Sequence, residues 1–122
     1  MSAKIVNKIS RVTNRSDWYD YSEKKLKAQA FHGGAPNDIS TFYIDEMEER
    51  EIWEYSDNRV YPKKKAIARG DLFCSQIRQK EPRCIISSKK EDNKDKHIVL
   101  SAPCAVDEIA LILAELSSLT IR

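Results

Sequence analysis

The sequence predicts an α+β fold: a small antiparallel or mixed sheet built from two hairpins, with about three helices and the C-terminal helix packed on the sheet. Three observations carry that expectation. Residues 39–44 alternate, with Phe42 and Ile44 on one side and Thr41 and Tyr43 on the other, as a half-buried strand does. Residues 83–88 and 97–101 are two further β-prone runs joined by a charged stretch, the outline of a hairpin. Near the C-terminus Val106, Ile109, Ala110, Leu113 and Leu116 recur at three- and four-residue steps, the stripe of a helix lying on a core.

The elements follow in order. Residues 1–22 are ambiguous and open to an irregular or peripheral reading. Ile5, Ile9 and Val12 have helical spacing, yet Asn7, Ser10, Thr13 and Asn14 are poor helix formers, so a short strand competes with a helix. Residues 14–17 (Asn-Arg-Ser-Asp) form a turn signal, and Trp18, Tyr19 and Tyr21 an aromatic cluster. In 24–31 Leu26, Ala28 and Ala30 alternate with Lys25, Lys27 and Gln29, which predicts a strand. Turn formers at 33–38 would then join it to 39–44 in the first hairpin. Residues 45–55 read as a helix, with Asp45 as cap, Glu48 in the capping-box position and Ser56-Asp57-Asn58 as its end. Residues 59–61 could be briefly extended before Pro62. Gly70-Asp71 reads as a turn, with Asp71 capping a short helix over 72–79 that Pro82 stops. The charged stretch 89–96 is the tip of the second hairpin. Pro103 stands where helix starts tolerate proline, and the last helix is expected over about 104–118. The order is β-β-α-(short β)-α-β-β-α, in one domain spanning 1–122, with the helices expected on one face of the sheet.

Composition narrows the classes. The chain has 122 residues, of which 41% are hydrophobic and 33% charged. That apolar share is too high for a disordered tail, and a chain this long can bury a core without metal or disulfide staples. No stretch approaches the roughly 18 apolar residues of a membrane span, and 1–11 lack the apolar core of a signal peptide. The expectation is a cytoplasmic protein with no membrane partner. Three cysteines, Cys74, Cys84 and Cys104, are expected as free thiols in a reducing compartment.

Charge is uneven. Residues 45–54 carry six acids and one base; residues 62–90 carry nine bases, including Lys63, Lys64 and Lys65, and two acids. Such an excess can attract a nucleic-acid backbone or an acidic protein face, or can simply be a solvated surface. No phosphate loop, dinucleotide fingerprint, zinc-finger spacing or nucleophile elbow occurs, and neither metal nor cofactor is expected. Cys104, at an expected helix N-terminus, and His97, on the incoming strand, are the candidates for a nucleophile and its base. The competing reading makes Cys104 a small core residue and His97 a cap on the sheet. Arg69, Asp71 and His97 could converge into a polar binding cluster; alternatively Asp71 only caps its helix. Trp18, Tyr19, Tyr21 and Tyr61 near lysines could stack bases, or roof a small core.

The succession Ala30-Phe31, Ile39-Ser40-Thr41-Phe42-Tyr43-Ile44, Glu51-Ile52-Trp53, Ala68-Arg69-Gly70-Asp71-Leu72 and His97-Ile98-Val99 before a leucine-rich helix resembles a group of small uncharacterised bacterial proteins. The resemblance covers about residues 28–116. Tyr43 stands where that group has arginine, and Gly33-Gly34 replace its proline. It brings no activity; it implies only that Arg69, Asp71 and His97 are the positions to test first. The function expected is therefore that of a non-enzymatic binding or accessory protein acting on another protein, a component of a multi-protein or defence-type operon. The alternatives are a nucleic-acid-binding module using 62–90, or a small enzyme using Cys104 or His97.

Overall fold

In the computed structural model, which describes residues 6–32, 38–88, 96–102 and 104–122, the N-terminal segment is not peripheral. Strand β1 (Lys8–Thr13) lies inside a six-stranded antiparallel sheet, because Ile9 and Val12 find apolar cover on opposite faces. A two-stranded hairpin follows, β2 (Tyr19–Asp20) with β3 (Lys25–Leu26), and turns at Lys24, whose φ is 56°. The strand expected over 24–31 is confined to Lys25–Leu26. Residues Ala28–Phe31 form a 3-10 turn that buries Ala30 and Phe31, so the two-residue alternation is met without a strand.

Strand β4 (Asp38–Tyr43) has the expected faces but not the expected partner: it pairs with β1 and with β7 (His97–Ser101). Helix α1 (Glu49–Tyr55) starts later than expected. Glu48 N donates to Glu51 Oε1 at 3.1 Å, while the Asp45 carboxylate accepts from the backbone N–H groups of Asn7 and Lys8. Ser56-Asp57-Asn58 does not end the helix; the chain widens into π-helical turns over Ser56–Val60. Gly70-Asp71 is no turn. Both lie in β5 (Ala68–Phe73), and α2 (Cys74–Lys80) begins only after it. β6 (Ile85–Ser88) forms the expected second hairpin with β7. Helix α3 (Val106–Leu116) is shorter than expected, and 118–121 become a final strand, β8 (Ser118–Ile121), on β5. The turn formers at 33–37, the hairpin tip at 89–95 and Pro103 lie outside the described residues.

The sheet order is β6-β7-β4-β1-β5-β8. Its first face carries Ile9, Ile39, Leu72, Ile98 and Leu100, and packs on Ile77 of α2, on Phe31, and on Ile109, Ala110 and Leu113 of α3. The C-terminal helix thus lies on the sheet as its stripe predicted. The second face carries Val12 and Phe42, under Ile52 and Trp53 of α1. Helices therefore cover both faces rather than one. The apolar residues of 45–55, too few for a wide stripe, still suffice to close a second, smaller core.

Candidate functional site

The alternation of β5 puts Arg69 and Asp71 on the second face, opposite Val12 and Ser10 of β1. Arg69 Nε donates to Asp71 Oδ1 at 3.2 Å, and its Nη1 lies 3.6 Å from Glu49 Oε1. Its guanidinium stands 5.1 Å from the centre of the Trp53 ring, and so does that of Arg122. Arg122 in turn holds Asp57 through two hydrogen bonds of 2.7 and 2.6 Å, which lower the Asp57 pKa. Asp71 is buried and pairs with Arg69 instead of capping a helix. His97 is on the same face but does not join them: β7 and β5 are separated by β4 and β1, about 14 Å of sheet.

His97 instead shares a 3.1 Å hydrogen bond, through Nε2, with Ser40 Oγ. It closes one end of a crevice of about 40 Å³ lined also by Ser10, Arg11, Ser40, Phe42 and Tyr55. Cys104 is exposed and lies two residues before α3, neither in the helix nor in the core. His97 faces away from α3, on the side of Phe42 and α1, and is hydrogen-bonded to Ser40, so it is not brought to the loop that carries Cys104 as a base. Cys74 and Cys84 are buried; burial raises both thiol pKa values, that of Cys84 to about 11, which leaves them protonated at neutral pH.

The basic region is divided by the fold. Lys63, Lys64 and Lys65 are exposed in the loop before β5, with Lys65 Nζ 3.9 Å from Asp57. Arg69 is buried, and Arg83 is held by Glu81 at 2.6 Å and by Glu108 at 2.9 Å. Arg78 and Lys80 are on α2, and Lys89 and Lys90 lie outside the described residues.

Two places were not singled out from sequence. One is the crevice, part of whose wall (Ser10, Arg11 and Val12) comes from the ambiguous N-terminal segment. The signal there was an arginine inside Ile9-Ser10-Arg11-Val12, a charge in the middle of a β-compatible run. The other is a groove of about 360 Å³ along α2 and α3, lined by Lys80, Leu111, Ile112, Glu115 and Leu116. Its signal was Leu111, an apolar residue outside the inward stripe of α3. Together these features define a small antiparallel sheet protein with helices on both faces, a buried Arg69–Asp71 pair with Glu49 nearby, and open concavities beside α3 and between the central strands. No protein-family model matches the chain, and no curated protein or solved structure is significantly similar to it.

Proposed function

We propose that the protein is a non-enzymatic binding protein that docks a second, different protein through the α2–α3 groove. Leu111 carries this reading. It is 61% exposed on a helix whose inward residues Ile109, Ala110, Leu113 and Ala114 already complete the core, so it adds nothing to folding. Ile112 and Leu116 extend the apolar floor, and Lys80 and Glu115 border it. A complementary partner presents an apolar ridge with an acid and a base beside it. The remaining chemistry supports binding over catalysis: two thiols are buried, and Arg69 and Asp71 are spent on each other. The division of the basic residues gives the nucleic-acid reading less support.

The partner to test first is the product of a neighbouring gene, with a photo-crosslinking residue at position 111 and a control at Tyr21, which is 72% exposed elsewhere. The expected result is an adduct from 111 alone, and a Leu111→Lys protein that binds at least tenfold more weakly with an unchanged melting temperature. Adducts with a second copy of the chain only, equal adducts from both positions, or unaltered binding by Leu111→Lys would each overturn the proposal.

A further inference from the structure

The walls of the α2–α3 groove are helices, and that decides what kind of backbone can lie in it. Inside α3 the N–H groups of Leu111 to Leu116 are bonded to carbonyls one turn back. A helix ordinarily leaves its last carbonyls open, but here they are taken. Ser117 N donates to Leu113 O at 3.0 Å and to Ala114 O at 3.2 Å, and the Lys25 ammonium donates to Glu115 O. At the end of α2, Glu81 N donates to Ile77 O at 2.7 Å. An extended segment laid over Leu111, Ile112 and Leu116 would therefore find few partners for its own N–H and C=O groups, and each one buried without a partner is costly. A helix brings its backbone hydrogen bonds with it.

The place suited to an extended segment is elsewhere, at the edge strand β6. Tyr43 N donates to Lys96 O at 3.1 Å. Bonded and non-bonded pairs alternate along an antiparallel ladder, so Ile98 and Leu100 turn their backbone groups to β4, and Val99 and Ser101 turn theirs to Ser87 and Ile85. The N–H and C=O groups of Ile86 and Ser88 then point out of the sheet. A partner strand pairs with such an edge. The groove offers nothing of this kind.

Its side chains suit a helix. From Leu111 to Leu116 the apolar floor runs about 7.5 Å along α3, and two side chains four residues apart on a facing helix span about 6 Å. Ile112 and Leu116 make one ridge of four-residue spacing and Leu111 and Glu115 the next, rows between which a facing helix seats a ridge of its own. Lys80 on α2 and Glu115 on α3 are exposed at the border, so the two charges a partner needs stand beside its apolar stripe.

On the reading that this groove is the docking site, we infer that the partner enters it as an amphipathic helix. Two aliphatic residues four apart rest on Leu111, Ile112 and Leu116, with an acid facing Lys80 and a base facing Glu115.

The test uses the intact partner, the product of the neighbouring gene that forms an adduct with a photo-crosslinking residue at position 111. Mass spectrometry finds the partner segment joined there, and lysine is placed at each position of that segment in turn. Losses of binding of at least tenfold should recur at three- and four-residue steps, with neutral positions between them. A proline in the middle of the segment should weaken binding at least tenfold. Lys80→Glu should weaken it at least threefold, and changing the facing acid of the partner to lysine should restore it. Losses at every second position, losses without a period, a proline without effect or a Lys80→Glu protein that binds as before would overturn the helix and leave the groove reading standing. A crosslinking residue at position 85, on the β6 edge, separates the other case. An adduct from 85 in place of 111, or none from either, would overturn the groove reading and the helix with it.

Discussion

Trp53 stands between two guanidinium groups that have different tasks. Arg122, near the chain's end, ties the π-helical turns to the sheet through Asp57. Arg69 is buried, and its nearest counter-charge is Asp71, two residues along the same strand face. Asp71→Asn therefore removes the charge that Arg69 needs and should cost about 3 kcal/mol or more, nearly as much as Asp71→Ala. A helix cap would instead tolerate asparagine and lose only about 1 kcal/mol on change to alanine. Urea unfolding of the two variants separates these outcomes. Neighbouring Gly70 shows why this stretch was misread. A Cβ there would meet Leu26 Cγ at 2.5 Å, so the glycine serves the close approach of β3 to β5, not a turn. Glycine followed by aspartate is a turn signal by local chemistry, and the reason for the glycine in a strand is Leu26, far away in sequence. Arg69 and Asp71 were thus legible as a polar pair, while the distance of His97 depended on strand order, which no local pattern encodes.

Elements with one apolar face and one polar face were legible. β4, the β6–β7 hairpin and α3 have such patterns, and the core face of α3 is the one its spacing predicts. Leu113 is fully buried there, so Leu113→Ala should cost about 2–5 kcal/mol in chemical unfolding, and a loss below about 1 kcal/mol would place the helix against a different surface. Elements whose support is tertiary were not legible. β1 mixes apolar and polar residues because it is covered on both faces, and Ser10 and Arg11 line a crevice rather than a core. β8 looks like a helix tail because Leu116 continues the helical stripe, but the backbone turns extended at Ser117, whose hydroxyl accepts from Leu26 N. Ala105, just before α3, adopts a left-handed backbone with φ of 48°, a conformation that alanine takes at a cost.

At the scale of the molecule, carboxylates held by arginines join parts distant in the chain. Arg83 holds Glu81 at the end of α2 and Glu108 in the first turn of α3, and its hydrogen bonds lower the Glu81 pKa. Arg122 does the same to Asp57. A carboxylate whose folded pKa is depressed gives its full stabilisation above its unfolded value, about 4.3 for glutamate and 3.9 for aspartate, and loses it as pH falls through the folded value. Unfolding free energy should be nearly flat from pH 7 to about 5 with respect to these groups, and decline below about 4.5. Arg83→Gln should flatten that decline. Urea midpoints at neutral and acid pH check this, and an equally steep decline in the variant would mean that the pair does not set the acid limit. The position of β1 has a consequence in time. Its main partner, β5, lies about 60 residues further along the chain. During synthesis the strand can meet β4 early, at Ile9 and Ser10, but must wait for its main partner until more than half of these 122 residues have been made, and the edge strand β8 completes the sheet last. Closing such long loops before their contacts form slows folding. The chain is therefore expected to reach its native state more slowly than a helical protein of its length, with its central strand the segment exposed longest to misassociation.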